Sequence, residues 1–179
     1  KEITEFSWLK STLRELLERM IYLLPFDKYI CVSDATKKDL LRLRVPRKNH
    51  DRVERVYNGF DYTFGKRTAI DDEKTKRVKE DHGLGTKFVY FSWGRSGASK
   101  GFEYAIKAVP RITQKIPHSI FLLMLGEPQR YKNKHRELLA LVNASPAREN
   151  IKIIPSQPYA ELQHYISAAD CIVVPSVSE

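Results

Sequence analysis

From residue 88 onward, short apolar runs alternate with stretches of helical periodicity, and this alternation limits the fold more than any other feature of the chain. Apolar runs fall at 88–93, 120–125, 151–154 and 171–174. Between them lie expected helices from Phe102 to about Gln114, from Arg130 to Val142 and from Tyr159 to Ala168. Tyr104, Ala105, Ala108, Val109 and Ile112 recur at three- and four-residue steps, as the buried stripe of a helix requires. Pro110 interrupts that stripe and is expected to kink the helix or end it early. The runs themselves are β-branched and apolar on both faces, which is how strands read when helices cover both sides of a parallel sheet. Right-handed crossovers then bring every strand C-terminus to one edge, and ligands of such sheets bind there. Gly94-Arg95, Gly126-Glu127, Pro155-Ser156 and Pro175-Ser176 are placed at that edge.

The first of these junctions carries the most chemistry. The run 88–93 breaks at Gly94; Arg95 follows, then Ser-Gly-Ala-Ser, then Lys100-Gly101 at the start of a helical pattern. Glycines allow close backbone approach to a ligand. A helix N-terminus favours an anion. Arg95 can grip phosphate oxygens with a planar fork, and Lys100 adds a point charge. The combination suits a diphosphate.

Residues 3–24 read as an amphipathic helix that packs on a neighbouring sheet, stopped by Pro25. A short strand over 28–33 follows. Ser33 or Asp34 then caps a helix through Lys37, Leu40, Leu41 and Leu43. Val53 to Tyr57 forms another strand, and Asn58-Gly59 a tight turn that redirects the chain. Between Phe60 and Thr86 charged residues dominate, as expected of a linker holding one polar helix. A domain boundary is expected there.

The balance of 31 Lys+Arg against 22 Asp+Glu gives a formal net charge of +9 and favours anionic partners, without choosing among them. Cys31 and Cys171 each sit in an apolar run and are expected as buried free thiols, consistent with a reducing, cytoplasmic setting. No apolar run reaches the length of a membrane span. Lys1 is not a natural start, so a preceding leader or domain is left open. The glycine fingerprint of dinucleotide sites is G-x-G-x-x-G, and Gly94, Gly97 and Gly101 do not match its spacing. There is no G-K-[ST] phosphate loop. The histidines at 50, 82, 118, 135 and 164 lack ligand spacing and are expected mostly on the surface, so no metal site is expected. Nucleic-acid signatures are missing. Nucleic-acid binding through the basic surface is therefore a third-ranked reading, testable by salt dependence, and no nucleic-acid partner is expected.

Taken together, Val32-Ser33 before a capped helix, Val56-Tyr57-Asn58-Gly59-Phe60-Asp61, Gly94-Arg95 with Lys100-Gly101, and Ala169-Asp170 leading to Pro175-Ser176 with Glu179 resemble the retaining GT-B glycosyltransferases of family GT4. The resemblance runs from about Tyr29 to the last residue. It implies an α/β fold: Rossmann-like parallel sheets with helices on both faces, in two domains facing a cleft, the second one partial. Residues 1–61 correspond to the C-terminal part of the acceptor-side domain, 62–85 to a linker, and 86–179 to the first half of the donor-binding domain. By the same resemblance Gly94, Arg95 and Lys100 meet the donor diphosphate, and Ser156 and Gln157 lie near the nucleobase. Glu179 matches the first glutamate of a pair that contacts the donor sugar.

The implied activity is sugar transfer, with retention, from a UDP-, GDP- or ADP-sugar to a glycan, lipid-linked or small-molecule acceptor, without a metal or other cofactor. Peripheral association with an anionic membrane is a further expectation. The 179-residue chain, read as a fragment, is expected to be inactive alone. Two departures bear on base and sugar contacts: Gly126-Glu127-Pro128 stands where relatives carry G-x-G, and Pro155 stands where they carry glycine. The competing reading is a non-catalytic GT-B-like module that binds anions or nucleotides, or serves as a scaffold.

Overall fold

A computed structural model describes residues 13, 16–17, 19–24, 26–63, 66 and 70–177. Most of the helix expected over 3–24 lies outside the described residues, although 13, 16–17 and 19–21 are helical. Glu179 also lies outside them. The chain divides into two compact units, Lys1–Asp61 and Tyr62–Glu179.

In the first unit, strand β1 (Tyr29–Cys31) leads to helix α1 (Asp34–Leu43). Ser33 is the N-cap: its side chain accepts from the Thr36 amide at 3.1 Å, satisfying a donor that the first helical turn leaves unpaired. A 3-10 turn over Arg47–Arg52 feeds strand β2 (Val53–Arg55), which pairs in parallel with β1 at Tyr29↔Val53 and Cys31↔Arg55. Tyr29, Cys31, Val45 and Val53 are buried together, with Tyr22, Leu40 and Leu41 packed against them. The expected turn at Asn58-Gly59 is not formed: both residues are irregular, and turn geometry comes instead at Tyr62-Thr63. An Asn-Gly hairpin turn is held closed by two antiparallel strands, whereas β2 is paired in parallel and no strand follows it directly.

The second unit is a four-stranded parallel sheet in the order β5-β4-β3-β6. Its elements are α2 (Asp72–Asp81), β3 (Phe88–Arg95), α3 (Phe102–Lys115), β4 (Ser119–Gly126), α4 (Lys132–Asn143), β5 (Ile151–Pro155), α5 (Tyr159–Ala168) and β6 (Cys171–Ile172). Side chains of β4 sort strictly by parity. Ile120, Leu122 and Met124 join a core with Val78 of α2 and Tyr165 and Ala168 of α5. Phe121, Leu123 and Leu125 join a second core with Phe102, Ile106 and Val109 of α3 and Leu138 and Val142 of α4. Helices therefore cover both faces, as the unbroken apolar runs require. Phe91, Phe121, Leu122 and Leu123 are completely buried, and each such side chain contributes about 1.5–3 kcal/mol of transfer free energy.

Further details of the second unit differ from the sequence reading. The polar helix expected within 62–85 is α2, and it is docked: Val78 and Leu84 are buried in the sheet core, and Lys74 Nζ reaches Glu161 Oε1 of α5 at 2.9 Å. Helix α3 runs through Pro110 to Lys115 without ending. Cys171 is exposed, not buried, because β6 is a two-residue strand at the sheet edge, paired only through Tyr90↔Cys171 and Phe91↔Ile172. His164 is buried at 2% exposure on the inward side of α5, against the expectation of a surface position. Asp170 ties β6 to β3: its carboxylate accepts from the Val89 amide at 2.7 Å while its own amide donates to the Val89 carbonyl at 2.8 Å.

Candidate functional site

The carboxyl edge of the sheet is even because of its register. Arg95 stands opposite Gly126, and Leu125 opposite Pro155, so β3, β4 and β5 release their chains side by side. A cavity of about 410 Å³ opens there, lined by Trp93, Gly94, Arg95, Met124, Gly126, Glu127, Ser156, Gln157, Tyr159 and Leu162. Four of the residues singled out in the sequence, Gly94, Arg95, Ser156 and Gln157, thus share one wall-to-wall space. Its floor is apolar, from Met124 and Leu162. Its rim is polar, and the side-chain amide of Gln157 donates to the Pro155 carbonyl at 3.3 Å.

Lys100 lines an adjoining cavity of about 170 Å³ with Ser92, Trp93, Phe102, Val173, Val174, Pro175 and Ser176. The two cations read as a pair thus belong to neighbouring spaces. Gly94 lies between them. Its φ is +152°, and a Cβ there would stand 3.3 Å from the Phe102 ring and 3.8 Å from Lys100 Cδ. A glycine therefore keeps the floor beside Lys100 open.

The loop after Arg95 is held by contacts that spacing alone does not announce. Ser96 is fully buried; its amide and hydroxyl both donate to the Gly126 carbonyl, each at 3.2 Å, and Oγ lies 2.9 Å from His135 Nδ1 on α4. Ala98–Lys100 makes one 3-10 turn, after which Gly101 adopts φ +63° and admits α3 at Phe102. A Cβ on Gly101 would fall 2.1 Å from the Pro175 carbonyl oxygen, and the Val177 amide donates to the Ser99 carbonyl at 2.9 Å. The 97–101 loop and the segment after β6 are therefore packed against each other, backbone to backbone.

At the end of β4, Glu127 holds φ +50°, the left-handed region that glycine tolerates best, and Arg130 lies 3.5 Å from its carboxylate. The second glycine of the G-x-G that the resemblance expects falls one residue later, at Pro128. The residues of the site and its supporting loop that the sequence motifs do not single out are Trp93, Ser96 and His135. Among the described residues, no group of three or more His, Cys, Asp or Glu could hold a metal ion, and no helix is long and apolar enough to cross a membrane.

A parallel sheet sheathed by helices, with its cavity at the carboxyl edge, is the architecture of Rossmann-like nucleotide sites, and the structure matches those of GT-B glycosyltransferases. The chain belongs to the family of glycosyl transferases group 1, whose model matches residues 73–179. It is similar to the HepE protein of Anabaena, crystallised with UDP-glucose: TM-score 0.70 and 18% identity, covering 84% of this chain and 38% of that one. A glycosyltransferase from Rickettsia africae gives TM-score 0.72 and 16% identity over 84% of this chain and 38% of its own. Sucrose-phosphate synthase from Thermosynechococcus elongatus gives 0.71 and 22% over 92% and 38%. The chain thus spans under two fifths of the length of these solved relatives. No curated protein sequence matches it.

Proposed function

We propose that this chain carries the donor-nucleotide site of a GT4 glycosyltransferase that transfers a sugar, with retention, from a nucleoside-diphosphate sugar to an acceptor hydroxyl. The observation that carries the reading is the single cavity shared by Gly94, Arg95, Ser156 and Gln157 at the sheet edge of a group 1 glycosyltransferase. Arg95 takes the diphosphate from one side and Lys100, across Gly94, from the other; Ser156 and Gln157 face the base. Glu179 is assigned to the donor sugar on the resemblance alone.

The diphosphate is the leaving group. As the bond between the anomeric carbon and the phosphate oxygen breaks, negative charge grows on that oxygen. Cations fixed beside it stabilise this state more than the ground state, which is what lowers a barrier. Metal-free operation belongs to the same proposal, with Arg95 and Lys100 supplying the charge a divalent ion would otherwise give. The acceptor is a glycan, a lipid-linked or a small-molecule hydroxyl. The net charge of +9 favours docking of a cytoplasmic enzyme on an anionic membrane surface.

Isothermal calorimetry with UDP, GDP and ADP tests the reading. One of the three is expected to bind, and Arg95→Ala to weaken it by roughly tenfold or more, the worth of a charge-assisted phosphate contact of about 1.5–3 kcal/mol. No binding of any of them by the wild-type chain would end the proposal.

A further inference from the structure

We infer that Trp93 is a stacking platform for the nucleobase, a binding residue that none of the sequence motifs includes. The inference rests on the proposed reading of the larger cavity as a donor-nucleotide site. Trp93 lines both cavities. It is a rigid element, because its indole stacks on Phe91 with centroids 5.2 Å apart at 19°, and Phe91, fully buried, stacks in turn near Tyr165 at 6.2 Å and 29°. Phe91 precedes Trp93 by two residues on the same face of β3, so it takes one face of the indole. The surface that is left, 36% of the residue, borders the open space.

That space has the composition a flat heteroaromatic ring asks for. Met124 and Leu162 give apolar contact, while Ser156 and Gln157 give a hydroxyl and an amide at the rim. An aromatic face already fixed by packing binds with little loss of conformational freedom. Arg95 lies two residues beyond Trp93 on the same strand, hence about 6.5–7 Å away along it. This is the scale of separation between a base and its 5′-phosphate, so one strand presents the ring contact and the anion contact in register.

The test uses the 179-residue chain, which has two tryptophans, Trp8 and Trp93. In a Trp8→Phe background, intrinsic fluorescence reports on Trp93 alone. UDP, GDP and ADP are titrated in parallel with inorganic pyrophosphate, by fluorescence and by calorimetry. Expected are quenching by the nucleoside diphosphate that binds, no quenching by pyrophosphate, and a nucleotide affinity about 5- to 150-fold lower in Trp93→Ala. Trp93→Phe is expected to restore most of that affinity, and pyrophosphate to bind Trp93→Ala as it binds the wild type.

Undiminished nucleotide binding by Trp93→Ala overturns the platform and leaves the donor-site reading standing. Equal losses for nucleotide and pyrophosphate also overturn it, since they show a structural role only. Absence of all nucleotide binding in the wild type overturns both readings together.

Discussion

At the scale of single residues, the site depends on backbone conformations as much as on charges. Gly101 is the sharpest case: a side chain there meets both a left-handed φ of +63° and a carbonyl oxygen 2.1 Å from its Cβ. Gly101→Ala is therefore expected to destabilise the second unit by roughly 2 kcal/mol or more, the sum of the left-handed penalty and the displacement of a backbone segment. Thermal unfolding checks this, and an unchanged melting temperature would show that the contact at Pro175 yields freely. Glu127 presents the opposite situation, a carboxylate and a φ of +50° in a cavity read as anion-binding. Glu127→Gly is expected to relieve about 1 kcal/mol of backbone strain and to raise nucleoside-diphosphate affinity a few-fold by removing a like charge. A fall in affinity, measured by calorimetry, would instead make Glu127 a ligand-binding group. Gln157 entered only through the family resemblance, while Arg95 and Ser156 were legible at the ends of apolar runs. Trp93, Ser96 and His135 were not, since the contact of Ser96 with Gly126 and His135 exists only once β3, β4 and α4 are assembled.

At the scale of elements, the contact of α2 with α5 and β5 carries a titration. The ring of His82, the C-cap of α2, lies 3.2 Å from the Tyr165 hydroxyl, and Lys152 Nζ donates to the His82 carbonyl at 2.6 Å. Burial first, and the charge of Lys152 second, hold the His82 pKa below its ordinary 6.5, with Asp81 acting against them. A depressed histidine binds protons less readily in the folded state than in the unfolded one. Its stabilising contribution is thus complete above the unfolded value and is lost as pH falls through the folded one. The melting temperature of the wild type is expected to fall more steeply between about pH 7 and pH 5 than that of His82→Gln; parallel curves would remove the effect. This docking was hidden in the sequence because α2 is so charged that it reads as linker, with Val78 its one buried residue and Leu84 buried just beyond its end. The long strands were plain for the converse reason: β4 is apolar at every position from Ile120 to Leu125, so that neither face can be left to water. β6 is shorter than the four-residue apolar run 171–174: Cys171 and Ile172 pair in register with β3, the Val173 amide still donates to the Phe91 carbonyl at 2.8 Å, and Val174 is exposed.

At the scale of the whole chain, every residue lining the two cavities belongs to the unit Tyr62–Glu179, and so does the family match over 73–179. The residues proposed to hold the nucleotide are thus drawn from the second unit. Transfer asks for more, because an acceptor hydroxyl must be held against the anomeric carbon while the diphosphate leaves, and orientation of two reactants supplies a large part of any such rate. On the proposed reading the cavities offer an anion grip and a ring contact beside apolar lining from Met124 and Leu162. Among the described residues that line the cavities, Glu127 is the only carboxylate, it is paired with Arg130, and there is no histidine or cysteine. The expected behaviour of the 179-residue chain is therefore binding without turnover. Calorimetry should register a nucleoside diphosphate, while incubation with UDP-, GDP- and ADP-sugars and hydroxyl acceptors should release none. Because two exposed or half-buried cations dominate the grip, the measured affinity should also fall as ionic strength rises past the point where the screening length drops below about 10 Å. Sugar transfer by the purified chain would show that an acceptor site and a complete catalytic set lie within these residues, and would overturn the division of labour argued for the two steps.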